Sequence, residues 1–185
     1  MPNWLAGPLV FVMLLYRRAR YGYPFRRILL TQGKYAIVDP EDFERLNKHK
    51  WYAARHGKIY YAQRTLWRKN EKTTTIAMHR LVIKVPEGMV ADHINHNGLD
   101  NRKANLRPAT PAQNIYNRPI AKKQNAQSRF RGVTWCRAKN KWLAKIKING
   151  RKKYLGYFHD EKQAAKAYDR AAKKHHGDFA VPNFK

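Results

Sequence analysis

Residues 92–107 read Asp-His-Ile-Asn-His-Asn-Gly-Leu-Asp-Asn-Arg-Lys-Ala-Asn-Leu-Arg, the most distinctive stretch of the chain. Acidic residues are scarce in this sequence, with 12 Asp and Glu against 39 Lys and Arg in 185 residues, so Asp92 and Asp100 need a reason to be there. Asn side chains bond neighbouring backbone groups and tolerate left-handed geometry, so they can make such a loop rigid. Asp100 and Asn101, together with Gly98, would by themselves also suit a plain turn.

The charge of the chain indicates a polyanionic partner. The formal net charge is +27 and the sequence pI is about 10.5. Such a surplus repels itself in a compact protein, and Lys or Arg contacts with phosphates release condensed counterions, which gives affinity for any nucleic acid. Charge alone leaves open a DNA-binding protein and an RNA-binding protein of the ribosomal type. A carboxylate facing phosphates is unfavourable unless a cation lies between them, and Asp and Asn oxygens suit Mg²⁺.

Three motifs together carry a family resemblance. Residues 78–82 (Met-His-Arg-Leu-Val), 92–107 and 113–117 (Gln-Asn-Ile-Tyr-Asn) resemble the HNH homing-endonuclease family over roughly residues 28–118, in the variant that has Asp-His at the front and Asn in place of the last His. The resemblance implies two strands and a helix around one divalent metal ion, Mg²⁺ with Mn²⁺ as the alternative. A motif match is a hypothesis until its structural context is known.

The resemblance also implies a role for individual residues. His93 would be the general base, Asp92 and Asn114 the metal ligands, and Asn105 the structural residue that ties the loop between the strands. His79 and His96 are candidates for phosphate contact, although His79 could equally be a packing residue. A histidine suits the base role because its ordinary pKa of ~6.5 leaves it neutral at physiological pH.

Apolar periodicity and turn signals place short elements around these motifs. Upstream, we predict strands over 28–31, 35–38, 51–54, 58–66 and 73–78, a helix over 41–48, and either structure over 79–85. Downstream, we predict strands over 130–135, 142–148 and 154–158, with Asn149-Gly150 as a hairpin turn. A helix capped by Asp160 and ended by Gly177 follows, with Ala164, Tyr168, Ala171 and His175 on its inner face.

The downstream part resembles the AP2/ERF DNA-binding domain of plant transcription factors, which also occurs fused to phage and bacterial HNH nucleases. The matching pieces are FRGV (130–133), KWLAKI (141–146), YLGYF (154–158), AAKAYDRAA (164–172) and GDFAVPNF (177–184). That family lays a three-stranded sheet in the DNA major groove. Candidate contacts on the predicted strands are Arg131, Arg137, Trp142, Lys145, Lys147 and Tyr154. Thr134, Lys145 and Tyr154 depart from the plant pattern, so plant base preferences are not carried over.

The N-terminal residues do not fit a membrane span or a signal peptide. The apolar run 4–16 is shorter than the ~20 residues that a span needs, and its arginines follow it. We predict an extension outside the fold over 1–24 and no membrane partner, with a weak membrane anchor over 4–16 as the alternative. Cys136 is the only cysteine, which excludes an intramolecular disulfide and favours a cytoplasmic protein. The resemblance suggests a bacterial or phage-infected host cell.

The expected fold class is α+β. We predict an HNH nuclease domain over 25–119, a linker over 120–127 and an AP2/ERF domain over 128–185. The expected function is metal-dependent hydrolysis of phosphodiester bonds in double-stranded DNA. The alternative is a DNA-binding regulator whose nuclease site is inert.

Overall fold

A computed structural model describes residues 3–67, 73–119 and 127–184. The chain divides into two compact units, Met1–Pro108 and Ala109–Lys185, and each is described separately below. Both combine helices with small antiparallel sheets, which confirms the predicted α+β class. The predicted linker lies outside the described residues except for Gln127.

Helix α1, Asn3–Tyr21, opens the first unit. Several of its large apolar side chains are more than half exposed, among them Leu9, Phe11 and Tyr16. Near its end, the Arg17 guanidinium lies 4.5 Å from the centroid of the Phe25 ring. In the part of the chain that the structure describes, no helix has the length and apolar character needed to cross a membrane. The assignment of residues 1–24 to an extension stays a prediction.

The next elements form two small sheets and a helix. Strands β1 (Arg26–Leu29) and β2 (Tyr35–Val38) make an antiparallel hairpin, and helix α2 (Pro40–Asn47) follows. Strands β3 (Tyr52–His56), β4 (Ile59–Leu66) and β5 (Thr74–Ala77) make a second sheet in that order, and the short helix α3 (His79–Val82) follows. Both sheets and α2 supply the core of this unit. Its members are Ile28, Leu30, Ala36, Val38, Leu46, Trp51, Ala53, Ala62 and Met78.

The quoted motif lies between two further strands. Strand β6 (Val90–His93) pairs with β7 (Leu106–Ala109), and a 3-10 helix over Lys103–Asn105 leads into β7. Helix α4 (Pro111–Tyr116) follows at the start of the second unit. Thr110 caps α4, since its side chain accepts a hydrogen bond from the Gln113 N–H, and the Gln113 side-chain oxygen accepts one from the Thr110 N–H. The order strand, strand, helix is the one that the resemblance implies.

The second unit continues with a three-stranded antiparallel sheet packed on one long helix. Strands β8 (Val133–Cys136), β9 (Lys141–Ile148) and β10 (Arg151–Phe158) lie in the order β10-β9-β8. Helix α5 (Glu161–His176) covers one face of this sheet. Asn149 and Gly150 both have positive φ, as the predicted hairpin turn requires.

Alanines let α5 lie close to the sheet. Ala164 and Ala167 pack with Ala144 of β9, and Tyr168 packs with Ile146. Asp160 caps the helix as predicted, because its carboxylate accepts a hydrogen bond from the Gln163 N–H at 2.8 Å. The predicted end of the inner face is wrong: His176 is buried and His175 is exposed.

Two predicted strand positions are also wrong. Arg131 and Gly132 form a turn before β8, because Gly132 has a φ of +76°. Such a left-handed conformation interrupts an extended strand and favours glycine. Arg137 lies in a 3-10 helix, Arg137–Lys139, that links β8 to β9. Neither arginine is therefore on a strand.

Candidate functional site

Strand β6 presents Asp92 and His93 next to each other, and both are buried, with 3% and 7% of their surface exposed. Oδ2 of Asp92 accepts a hydrogen bond from Nε of Arg107 on β7 at 2.9 Å. A buried carboxylate is costly unless it is paired, and Arg107 supplies the partner of Asp92. The unit thus holds a fixed anionic oxygen pair directly beside a buried imidazole.

The loop after β6 is tied together by Asn105. Its Oδ1 accepts a hydrogen bond from the Asn95 N–H at 3.0 Å, and its Nδ2 donates one to the Asp100 carbonyl at 2.8 Å. Asp100 in turn receives two hydrogen bonds from the Arg102 guanidinium, at 2.6 and 2.8 Å. Asp100 and Asn105 are both buried, so these bonds restrict the loop in a site with little access to water.

The same loop is joined to β2 by backbone hydrogen bonds. The Ile37 N–H donates to the Leu99 carbonyl at 2.8 Å, and the Asn101 N–H donates to the Ile37 carbonyl at 2.7 Å. The Lys103 N–H also donates to the Asp39 carboxylate at 2.7 Å. The two-stranded motif is therefore held on the core of the first unit and does not form an independent loop.

The imidazole of His93 lies in a cluster of rings. Its centroid is 5.1 Å from that of His79 and 5.7 Å from that of Tyr61, both in edge-on geometry. Burial lowers the pKa of His93, while contact with the Asn101 side chain and the negative charge of Asp92 oppose this shift. His93 is therefore neutral at physiological pH, the state in which a histidine accepts a proton.

The two predicted phosphate contacts differ in their surroundings. His79 begins α3 beside His93, and burial, the proximity of His93 and the charge of Arg80 lower its pKa to about 3. It is a neutral ring at pH 7 and cannot attract a phosphate by charge. His96 lies in the loop with a φ of +64° and is half-buried. Phosphate contact by either residue stays a prediction.

Asn114, the second predicted metal ligand, lies on α4 and is half-buried. Its N–H donates to the Thr110 carbonyl at 3.0 Å, so the residue is fixed in the first turn of the helix. Asn114 belongs to the second unit, and Asp92 belongs to the first. Its role as a ligand stays a prediction.

The residues present fit a hard divalent cation. Asp92 and Asn114 offer a carboxylate and an amide oxygen, the donors that Mg²⁺ prefers. Arg107 engages Oδ2 of Asp92, but an ionised carboxylate has about four acceptor sites and can serve a cation as well. The donor set contains no thiolate and so does not favour a soft metal.

A separate cluster of three acidic residues has a lysine as its partner. Asp39, Glu41 and Asp42 bring carboxylate oxygens within 4.8 Å of one another. The Lys103 amine lies 3.1 Å from Glu41 and 3.3 Å from Asp42, and the Lys103 N–H bonds to Asp39. Lys103 thus compensates this group and fastens the start of its 3-10 helix to α2.

Gly98 is required by the close approach of the motif loop to β4. A Cβ at this position would lie 2.5 Å from the Tyr60 carbonyl oxygen and 2.6 Å from Cδ1 of Tyr61. We expect Gly98→Ala to lower the free energy of unfolding of the first unit by about 1–3 kcal/mol, because the loop or the strand must move. Chemical denaturation measures this change.

Gly7→Ala is the matched control for Gly98→Ala, because a Cβ at Gly7 meets no atom within 4 Å. It should leave the unfolding midpoint unchanged or raise it slightly. Equal midpoints for the wild type and Gly98→Ala would show that the loop is not packed against β4.

A basic and aromatic surface lies on the face of the second unit's sheet that points away from α5. Lys145 is opposite Tyr154 and Lys147 is opposite Lys152 in the β9–β10 register, and opposed residues share a face. Tyr154 is 66% exposed. Three of the six predicted DNA contacts, Lys145, Lys147 and Tyr154, are therefore together, and we call them with Lys152 the sheet face.

The other three predicted contacts are not on this face. Trp142 packs against the core that β9 forms with α5, and its ring meets Trp135 edge-on at 5.0 Å. Arg137 lies in the 3-10 helix after β8. The Arg131 guanidinium donates to the carbonyls of Tyr116, at 3.0 Å, and Arg118. Arg131 thus contacts the end of α4, and its contact with DNA stays a prediction.

Several site neighbours were missed by sequence reasoning. Tyr61 lies on β4, 32 residues before His93, and no local pattern marks it as a neighbour of that ring. Arg107 stands within the quoted motif, so a basic residue in the second strand was an available signal for a partner of Asp92. Asn101, which is 1% exposed, looked like a turn residue.

Comparison with known proteins agrees with this geometry. The family model described as HNH endonuclease matches residues 78–116, which include the motif and α4. An uncharacterized HNH endonuclease of Acanthamoeba polyphaga mimivirus is 31% identical over 163 residues, covering 84% of this chain and 79% of that protein. These matches define the class of protein, a nuclease, and the matched residues contain strands β6 and β7 and helix α4. The chain belongs to the HNH endonuclease family, and it is a DNA endonuclease.

Further relatives match parts of the chain. An AP2-like ethylene-responsive transcription factor of Arabidopsis thaliana is 37% identical over 87 residues, which is 47% of this chain but 17% of the plant protein. Protein 3.8 of Escherichia phage T7 is 28% identical over 96 residues, covering 52% of this chain and 77% of that protein. The expected combination of an HNH nuclease with an AP2-like domain is confirmed at the level of family.

Proposed function

We propose that this endonuclease hydrolyses duplex DNA in a reaction that depends on a divalent cation, and that its AP2-like domain binds the same DNA. The observation that supports the proposal best is the pair of buried, adjacent side chains Asp92 and His93. One supplies a fixed anion and the other a neutral imidazole. Asn105 restrains the loop that follows them.

His93 acts as the general base. Its imidazole takes the proton of the attacking water as the water oxygen bonds to phosphorus and the bond to the 3′ oxygen breaks. The products are a 5′-phosphate and a 3′-hydroxyl. Asp92 and Asn114 would hold the cation, which would supply positive charge to neutralise the negative charge that develops during the reaction. Mg²⁺ is the expected ion, with Mn²⁺ as a substitute.

Removing the metal tests this dependence. Supercoiled plasmid should be converted to open-circular or linear DNA by the protein in Mg²⁺, and should remain supercoiled in EDTA. Adding excess Mg²⁺ to the EDTA sample should restore cutting, which controls for loss of protein. Cutting that persists in EDTA would contradict metal dependence. Plasmid that is bound but never cut would support the inert regulator.

The sheet face is the proposed DNA contact of the second unit. Residues 127–185 contain 16 Lys and Arg against 4 Asp and Glu, so phosphate contact is electrostatically favoured. Tyr154 offers an exposed ring beside Lys145. A ribbon of two or three strands fits the major groove, where each base pair shows a distinct pattern of donors and acceptors.

The salt dependence of binding tests the sheet face. Replacing Lys145, Lys147 and Lys152 by Gln should make the slope of log K against log salt less negative by up to about 2.7, because each phosphate contact contributes ~0.9. The matched control replaces Lys162, Lys166 and Lys173, which are exposed on α5, by Gln. An equal change of slope in both triple variants would show that net charge, and not the sheet face, governs binding.

A further inference from the structure

The end of α4 is held by a residue of the AP2-like domain. The last carbonyls of a helix have no partner within the helix. Nη1 of Arg131 donates to the Tyr116 carbonyl at 3.0 Å, and Nη2 donates to the carbonyls of Arg118 and, at 3.5 Å, Pro119. One guanidinium therefore caps α4 and the turn after it, and all of these residues belong to the second unit.

A pair of stacked rings makes a second attachment. Tyr116 of α4 lies flat on His176 at the end of α5, with ring centroids 3.7 Å apart and planes 8° apart. The Tyr116 hydroxyl accepts a hydrogen bond from the Asn149 N–H at 3.2 Å, and Nε2 of His176 donates to the Lys147 carbonyl at 3.0 Å. Helices α4 and α5, which are far apart in the sequence, are thus both attached to the end of β9 and the turn that follows it.

The hydrogen bonds of Tyr116 and His176 lie at the end of β9, beyond its pairing with β8. Among the described residues, β8 pairs with β9 from Val133–Ala144 to Cys136–Lys141, and beyond this pairing the Lys145 N–H donates to the Gly132 carbonyl at 2.8 Å. Backbone groups on an open edge need partners. Tyr116 of α4 supplies a partner for the Asn149 N–H, and His176 of α5 supplies one for the Lys147 carbonyl.

The contacts that attach α4 lie beside a cavity. This open cavity of about 330 Å³ is lined mainly by apolar surface that includes Ile115, Ile146 and Tyr168. Arg131, Tyr116 and His176 all line this cavity, so the contacts that hold α4 lie at its wall.

From this geometry we infer that Arg131, Tyr116 and His176 are positioning residues of the nuclease: they fix α4, and with it the proposed metal ligand Asn114, within the second unit. Asn114 is two residues before Tyr116 on the same short helix. The inference rests on the proposed function, in which Asn114 is a metal ligand. It gives the AP2-like domain a second role besides DNA binding.

Metal binding without DNA tests this inference on the full-length chain. Mn²⁺ affinity is measured from the EPR signal of free Mn²⁺ for the wild type, Arg131→Ala and Tyr116→Ala. Each variant should raise the Mn²⁺ dissociation constant by about 10-fold, as residues that orient metal ligands do. DNA nicking by the variants should recover at saturating Mn²⁺. Arg129→Ala, which removes an exposed charge next to the same turn, should bind Mn²⁺ like the wild type.

Two reference variants separate the possible failures. Asp92→Ala and Asn114→Ala should each weaken Mn²⁺ binding strongly. If they do, but Arg131→Ala and Tyr116→Ala bind Mn²⁺ normally, the positioning role is wrong and the metal site stands. If neither reference variant affects Mn²⁺ binding, the metal site is wrong as well. Tyr116→Ala keeps the test valid if Arg131→Ala fails to fold, because Tyr116 lies outside the core of the AP2-like domain.

Discussion

His93→Ala should lower the rate of DNA cutting by about 10²- to 10⁴-fold, the usual contribution of a positioned general base. His93 is buried next to Asp92 on β6 and carries no charge at pH 7 because burial lowers its pKa. The variant should bind duplex DNA as tightly as the wild type, since His93 is not part of the sheet face. Single-turnover cutting and filter binding on the same DNA measure both quantities.

The control for His93→Ala comes from the same ring cluster. His56 lies 5.6 Å from Tyr61 but is exposed, so His56→Ala should retain the wild-type rate. Equal losses in both variants would show that the cluster supports the fold and that His93 has no chemical role. A rate for His93→Ala within a few fold of the wild type would also contradict the assignment.

The shift in the pKa of His93 sets the sign of the pH dependence. A general base works only when it is neutral, and a lowered pKa keeps His93 neutral at pH values where an ordinary histidine is already protonated. The wild-type rate should therefore stay on its plateau as the pH falls through ~6.5 and decline only below it. The rate of cutting is measured between pH 5 and 8. If the pKa of His93 is not lowered, the rate will begin to fall at or above the pKa of an ordinary histidine.

Gly132→Ala should be the most damaging single substitution for the stability of the second unit. A Cβ here would lie 2.0 Å from Cδ2 of Tyr168 and 2.7 Å from the Lys145 carbonyl oxygen, and φ is +76°. Both the overlap and the left-handed conformation act in the same direction, so we expect a loss of about 2–5 kcal/mol. That loss is a large part of the stability of an ordinary domain. Chemical denaturation followed by fluorescence measures it.

Gly150→Ala separates the two contributions. Gly150 has a φ of +81°, but a Cβ there meets no atom within 4 Å. It should therefore lose only the conformational contribution, about 1–2 kcal/mol. Equal losses for Gly132→Ala and Gly150→Ala would mean that Tyr168 moves aside freely and that the turn before β8 is not tightly packed.

The sequence predicted local features of the fold well. Strand β2 occupies the predicted residues 35–38, and Asn149-Gly150 makes the expected turn because its two residues favour positive φ. The helix after Asp160 begins where its cap indicates. The inner face of α5 was predicted one residue early at its end, since His175 and His176 are equally polar and only packing selects between them.

The contacts that join distant segments could not be predicted in this way. Arg131 was expected on a strand that reads DNA, but the left-handed turn at Gly132 removes it from β8. Its guanidinium then reaches the Tyr116 carbonyl, 15 residues earlier in the chain. Neither periodicity nor a motif records such a pairing. For the same reason, the Tyr61 ring beside His93 became visible only in the folded structure.

The chemistry of the cut ends tests the central claim most directly. Supercoiled plasmid is incubated with the wild-type protein in Mg²⁺, stopped with EDTA, purified and treated with DNA ligase. Hydrolysis by water activated at His93, with the 3′ oxygen as leaving group, predicts nicks with a 5′-phosphate and a 3′-hydroxyl that ligase seals without further treatment. Plasmid that is bound but uncut, or nicks that ligase seals only after their ends are repaired, would contradict the account.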